Sequence, residues 1–482
     1  MFALLAACTA PKDGSDVHDS PGLDSFGETA DSADADTDAD SDADTDTDTD
    51  TDTVPEGPVF VFKGDKPHNL MIISLDTLRR DQVGWFSGLD TTPNLDALMA
   101  ESVVMEDHRS CSTWTAPSFL CALIGYEPWK QGWLPTTTGY SDDGTADPDV
   151  PWTPDELTPL AQALSDAGYA TTLLTSNQVF SDRPGGGLAN GFQTIRLPLW
   201  YPAEDVGPKV ETNVAELMAT GQPWYFHGHF IDPHAPYVAP TEWATDADEL
   251  GPFDWALDDR NAYLTIEDEW SGMTDEEQAQ AYNYLLTVYR AELRYWDDNF
   301  ATLWADLDAA GALDDTLFVF YSDHGEQFGE HGHFHHGVST HEEENRATLF
   351  FWAKNLEPRS WNHPTVHTDL APTLYDLFDL PPSSEHTGIK IGDADDDRVM
   401  FQFTYIYGWG AAKMSVVRGD DKLLYGFDGY KRLYDLSVDP YEEEDLYDAS
   451  NPTALDLWDL LLPEVEAIEA QWPSVTAYNP GP

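Results

Sequence analysis

The stretch that decides the fold runs from Thr316 to His336 and reads TLFVFYSDHGEQFGEHGHFHH. Leu317 to Ser322 are mostly apolar and β-prone, the pattern of a strand buried on both faces of a parallel sheet. They stop at Asp323-His324-Gly325-Glu326. A carboxylate beside an imidazole, followed by His331, His333, His335 and His336, supplies hard and borderline ligands for a divalent cation. By composition alone the same residues equally fit a polar loop capping a strand, so the decision lies in what the rest of the chain sends to the same place.

Outward from this stretch, strands alternate with helices. Leu70 to Leu75 is a continuous apolar strand ending at Asp76, Ala170 to Thr175 is another, and Trp224 to Ile231 ends at Asp232. Thr92-Pro93 and Thr158-Pro159 place a capping residue before a proline and so open helices that run to about Ala100 and Gly168. A long helical pattern from Asp275 to Ala310 leads back to the opening strand, and Ala347 to Ala353 adds one more strand. The alternation predicts an α/β domain over 58–394, a mostly parallel sheet with helices on both faces. The forty or so residues after Asp232, rich in Trp, Asp and Pro, interrupt the pattern as an insertion able to roof a pocket. From about 395 to 482, short segments at Val399 to Thr404, Ala412 to Arg418, Lys422 to Phe427 and Arg432 to Leu436 predict a small antiparallel C-terminal α+β subdomain. It ends in a helical tail, Leu455 to Trp472, which Pro463 is expected to interrupt.

The N-terminal segment is different in kind. Met1 to Cys8 ends in Leu5-Ala6-Ala7-Cys8, which resembles the lipobox of bacterial lipoproteins, although a charged leading region is missing. Residues 9–57 read as a disordered acidic tether, with Asp at every second position from Asp34 to Asp52 and no apolar surface to offset ordering entropy. The expectation is a lipid-anchored, extracytoplasmic protein of a bacterial envelope that meets the membrane only through its N-terminal lipid. Formal net charge is −66 in total, and beyond the tether 72 acids still face 22 Lys and Arg. That balance excludes nucleic acid as a partner, because phosphate backbones require clustered basic side chains. Cys111 and Cys121 fit either a disulfide or two buried thiols.

Open α/β sheets bind ligands at the carboxyl ends of their strands. Asp76, Asp232, Asp323 and His324 all follow predicted strands and are expected to converge there. Thr115, in Cys111-Ser112-Thr113-Trp114-Thr115-Ala116-Pro117-Ser118, lies at a helix mouth whose free N–H groups favour an anion. A hydroxyl there, beside a divalent cation, is suited to attack phosphorus or sulfur; alone, it would read as a helix cap.

These motifs together resemble the sulfatase-like branch of the alkaline phosphatase superfamily. The resemblance rests on Asp76 to Asp81, Thr92 to Asp96, Thr115 to Ser118, Asp232 to Tyr237, Ser322 to Glu326 and Asp369 to Thr373, with Leu433 to Leu436 and Asp439-Pro440 matching the family's C-terminal part. It implies that Asp76, Asp323 and His324, with Thr115, hold a metal, that Thr115 is the nucleophile, and that His234 and His336 contact the transferred group or leaving oxygen. Sulfatases proper carry a Cys or Ser that becomes formylglycine, and an Arg two residues after the Pro; here those positions are Thr115 and Phe119.

A Thr nucleophile with Asp, Asp and His ligands resembles instead the phosphodiesterase, phosphonate-ester hydrolase and phospho-group transferase members. The expected protein is therefore a metal-dependent hydrolase or transferase of phosphate-type esters of small-molecule, glycan or lipid origin. Its cofactor is one divalent ion (Mn, Zn or Ca), with imidazole favouring Mn or Zn. Asp232, His234 and His336 leave room for a second metal. The alternatives are a sulfatase working without formylglycine and a tethered, non-catalytic binding protein.

Overall fold

Among the described residues, eight strands build the main sheet: β1 (Asn69–Leu75), β2 (Val103–Met105), β3 (Ala170–Thr175), β4 (Thr194–Arg196), β5 (Trp224–Phe230), β6 (Thr316–Ser322), β7 (Leu349–Trp352) and β8 (Arg359–Trp361). The computed structural model describes residues 57–131, 158–177, 189–237, 239–247, 256–257, 259–405 and 411–471, which leaves the lipobox and most of the acidic tether outside. Apart from Gly57 and Pro58, the described residues belong to one unit, Val59–Pro482.

Strand order is β8-β2-β7-β6-β1-β5-β3-β4. Only β7 runs against its neighbours β2 and β6; every other pair is parallel. Side chains alternate across the sheet as a period of two requires. Leu70 and Ile72 of β1, with Leu317, Val319 and Tyr321 of β6, enter a core covered by helices Thr115–Ile124, Leu160–Asp166 and Leu370–Leu377. Met71, Ile73, Leu75, Phe318 and Phe320 enter the opposite core, under helices Pro93–Met99, Ala203–Ala219 and Asp275–Ala309. Val206, Val210, Val214 and Leu217 show how a helix meets that face: the spacing forms one apolar stripe. The longest helix starts at a capping box, in which Glu277 N donates to Thr274 Oγ1 at 3.3 Å and Thr274 N donates to Glu277 Oε2 at 2.8 Å.

The edge strands β4 and β8, and β2 beside β8, escaped the sequence reading because each is three residues long, too short to display a period. The second sheet is an antiparallel meander of β9 (Val399–Thr404), β10 (Lys413–Arg418), β11 (Asp421–Gly426) and β12 (Lys431–Asp435). One expectation is corrected here. Helix Pro452–Gln471 continues through Pro463. Leu457, Leu461, Val465 and Ile468 on both sides of that proline are buried in one core with the meander, and their burial outweighs the roughly 3 kcal/mol an interior proline costs.

Phe320 lies in the middle of β6, its ring 5.1 Å from Phe350 and 5.8 Å from Trp296. Phe320→Ala should lower unfolding free energy by about 3–5 kcal/mol in urea titrations, the cost of a large cavity in a packed core.

Candidate metal centre

Backbone pairing brings the ligand-type residues together. Leu75 pairs with Ser322, Asp76 N donates to Phe230 O at 3.0 Å, and Asp323 N donates to Leu75 O at 3.1 Å. Asp76 and Asp323 therefore leave adjacent strands at the same level, and both are fully buried. Asp323 Oδ1 accepts from the backbone N–H groups of Thr77 (3.1 Å) and His324 (2.8 Å). The ring of His324 donates from Nδ1 to Gly325 O at 2.9 Å, which leaves Nε2 as a bare lone pair. Nε2 stands 3.7 Å from Asp76 Oδ1 and 3.5 Å from Asp323 Oδ2. All three of these atoms are buried and lack a hydrogen-bond partner. Unsatisfied buried carboxylate oxygens and an imidazole nitrogen facing one point are what a divalent cation would satisfy, so the donor set fits such an ion.

A further histidine joins them. His229, in the interior of β5, has Nδ1 3.0 Å from Ser74 Oγ and Nε2 3.3 Å from Asp76 Oδ2. Ligand atoms of Asp76, His229 and Asp323 all lie within 4.8 Å of one another. The sequence reading missed His229 because a histidine inside Trp224-Tyr225-Phe226-His227-Gly228-His229-Phe230 looks like core. The available signal was its position one residue before the strand's carboxyl end.

Electrostatics agree with a cation-shaped site. Burial works to raise the Asp76 carboxyl, but the hydrogen bond from His229 and the fields of His234, His229 and His324 hold it below the ordinary range. Burial and the charge of Asp76 push Asp323 well above its ordinary value. Burial, with His336 nearby, depresses His324 to about 3, so its imidazole is neutral and free to ligate.

Thr115 is the first residue of helix Thr115–Ile124, with Trp114 in the cap position and Pro117 in the first turn. Its Oγ1 accepts from Asn177 Nδ2 at 3.4 Å, and the same amide nitrogen donates to Asp76 Oδ2 at 2.6 Å. Asn177, two residues past the end of β3, was not among the expected site residues; its position beyond a strand's carboxyl end was the signal. Cys111 and Cys121 form a disulfide around this segment, and Ser118 Oγ bonds to Asp323 O and to His367 Nδ1 (3.0 Å).

Of the loop histidines, His336 reaches the centre, its ring 4.5 Å from His324 and 5.1 Å from His234. Its Nδ1 is 3.0 Å from Glu326 Oε1, and Glu326 Oε2 accepts from Tyr237 OH at 2.7 Å. The others are engaged elsewhere: His331 stacks on His341, His335 bonds to Glu267, and His333 is half-buried near Lys413. Residues of the insertion pack on this loop, with Tyr263 against His335 and Trp270 against Phe334.

Asp232 departs from the expected convergence. It accepts from Ala203 N, at the start of helix Ala203–Ala219, at 3.4 Å and neighbours Glu292. A helix N-terminus and a second carboxyl group therefore claim it, and a second metal built on Asp232, His234 and His336 would have to recruit a carboxylate turned to that helix.

The sequence model of the Sulfatase family matches residues 68–380. The chain belongs to the Sulfatase family, and it shares its fold, at a TM-score of 0.59 and 16% identity, with a protein of the alkaline phosphatase superfamily from Vibrio parahaemolyticus. An arylsulfatase of Clostridium perfringens is 22% identical over 445 residues, covering 78% of this chain and 89% of that protein. Further arylsulfatases are similar to it. Two solved structures share the fold at 17% identity each. A protein bound to its substrate D-glucosamine-2-N,6-O-disulfate superposes with a TM-score of 0.65 over 85% of this chain and 99% of that one. The phosphonate monoester hydrolase of Agrobacterium radiobacter gives 0.62 over 84% and 96%.

Two outcomes follow. A Cβ added at Gly325 would stand 1.9 Å from Glu343 O, so Gly325→Ala should displace His324 and weaken divalent-metal binding about 10-fold or more, read by calorimetry. Burial pushes the Asp232 carboxyl up to about 6. A raised acid contributes stability that is complete below its unfolded value and is lost as pH rises through about 6. Asp232→Asn should therefore flatten the fall in unfolding free energy between about pH 4 and pH 7 by on the order of 2 kcal/mol in urea titrations.

Proposed function

We propose that the protein is a metal-dependent hydrolase or transferase of phosphate-type esters in which Thr115 is the nucleophile. The observation that carries this is the threonine hydroxyl at a helix mouth, joined through Asn177 to Asp76 in a buried Asp/His cluster. Threonine stands where formylglycine-dependent sulfatases need Cys or Ser, and it cannot supply the gem-diol that expels sulfate from a covalent intermediate. Asp76, Asp323, His324 and His229 are the residues that would hold the ion, and two imidazoles favour manganese or zinc over calcium. When bound, such an ion neutralises charge on the ester's non-bridging oxygens and eases ionisation of a nearby hydroxyl.

The chain's own groups then divide the work. The Asn177 amide occupies one acceptor site of Thr115 Oγ1 and so orients the hydroxyl toward the bound ester. As Thr115 Oγ1 forms the new bond to phosphorus it releases its proton to solvent, while the ester's leaving oxygen departs and takes a proton from His234 or His336. His336 is held through Nδ1 by Glu326 and His234 through Nδ1 by Ala235 O at 2.6 Å, so each presents Nε2. Water or an acceptor alcohol then attacks the phosphorus and gives its proton to the same histidine, and the phosphorus–Oγ1 bond breaks as Thr115 regains a proton from solvent.

The second reading, a sulfatase acting without formylglycine, is favoured by the predominance of sulfatases among the similar proteins. Small-molecule, glycan and lipid esters all remain within the proposed substrate class. We also propose an extracytoplasmic location, anchored by lipidated Cys8 through the acidic tether; the Cys111–Cys121 disulfide supports an oxidising compartment.

The full chain assayed on aryl phosphate, phosphodiester, phosphonate and sulfate, with and without chelator, separates the readings. Thr115→Ala should lower kcat by about 10³-fold or more with metal stoichiometry retained, and chelation should abolish turnover of the parent protein. Faster turnover of aryl sulfate than of any phosphorus ester would transfer the conclusion to the sulfatase reading. Full activity in Thr115→Ala would remove the nucleophile, and a purified chain holding no divalent ion and turning over no ester would mark a binding protein.

A further inference from the structure

Large aromatic side chains are seldom left open to water on backbone they adopt reluctantly. Trp200 does both: its φ is 59°, in the left-handed region that favours glycine, and 48% of its surface is exposed. Its backbone N–H is tied to Ser176 O at 2.9 Å, next to Asn177. Its ring meets that of His234 at 5.7 Å and 73°, and His234 in turn lies 5.1 Å from His336. One flank of Trp200 is thus continuous with the groups that serve the leaving oxygen, and the remainder faces solvent.

We propose that Trp200 is a specificity-determining residue that forms the wall on which a flat ring of the ester's leaving group, aromatic or pyranose, rests. Three features of the site select a ring as the occupant. The indole meets the ring of His234, a group that serves the departing oxygen, and so offers an apolar face at the height of that oxygen. An indole face gains most from flat C–H surfaces and π-systems, and little from a short alkyl chain. A rigid ring lying on a fixed indole loses little conformational freedom, so the contact orients the leaving oxygen toward His234 as well as adding affinity. The inference rests on the ester-cleaving reading of the Thr115 centre.

The test uses the full chain carrying Thr115→Ala and loaded with manganese, so that ligands bind without turnover. Phenyl, glucosyl 6-O- and ethyl esters of phosphate and of sulfate are titrated by calorimetry. At least one ring ester should bind about 10-fold more tightly than the ethyl ester of the same acid. Trp200→Ala should remove that margin and leave ethyl-ester affinity unchanged, which also shows that the site is intact; Trp200→Phe should keep most of it. Loss in the phenyl arm identifies an aromatic ring, loss in the glucosyl arm a sugar ring. A margin that survives Trp200→Ala, no margin in the Trp200 protein, or an equal fall in ethyl-ester affinity overturns the proposal. If the metal is held but no ester binds even with Trp200 present, the ester-cleaving reading itself fails, a result distinct from a lost ring preference.

Discussion

Two carboxylates held face to face inside the protein are the constraint on which the site depends. Parallel pairing of β1 with β6 sends Asp76 and Asp323 out of the sheet at one level, beneath helices that exclude water. Like charges at such a distance cannot both persist in a dry interior without a compensating cation or a proton. The depressed Asp76, the raised Asp323 and the three unpartnered atoms around them all express that one imbalance. Neutral His324 adds a lone pair without adding charge, which suits a divalent ion better than a further carboxylate would.

Much of the surrounding structure keeps this arrangement rigid. Thr77, a β-branched residue, adopts φ 57°, a conformation costing on the order of 1–3 kcal/mol, and is held there by its N–H to Asp323 and by Tyr289 OH donating to Thr77 O at 2.8 Å. Arg79, 1% exposed, grips Asp81 with two nitrogens and reaches Glu330 at 2.6 Å and Glu326 O at 3.2 Å. It therefore ties the loop after β1 to the loop that delivers His336. Residues of the Asp76–Asp81 motif without a ligand atom thus act as struts. On the other side, Lys422, with no exposed surface, reaches Glu342 at 2.8 Å and Glu442 at 2.9 Å and joins β11 to the turn against which Gly325 packs.

The chain's order made most of the fold legible. Continuous apolar runs marked β1, β3, β5 and β6 almost to the residue, since strands buried on both faces show no alternation to confuse them. Three-residue strands were silent, and the proline in Pro452–Gln471 misled because local propensity weighed against a helix that tertiary burial keeps. For the site, strand ends pointed to Asp76, Asp323 and His324, while Asp232 at an equivalent end turns to a helix N-terminus. His229 and Asn177 join the site from a strand interior and a loop, positions without a motif.

What the sequence by itself determined is the class of the fold, the family, and the residue types that follow the central strands, because hydrophobic periodicity and local turn chemistry are written in neighbouring residues. The tertiary structure alone decided which of those residues meet. His229 rather than Asp232 faces Asp76, one histidine of the loop cluster reaches the centre while others pair with acids, and Cys111 joins Cys121. Such choices depend on strand register and on burial against segments hundreds of residues away, where unpaired charge is costly enough to overrule any local preference.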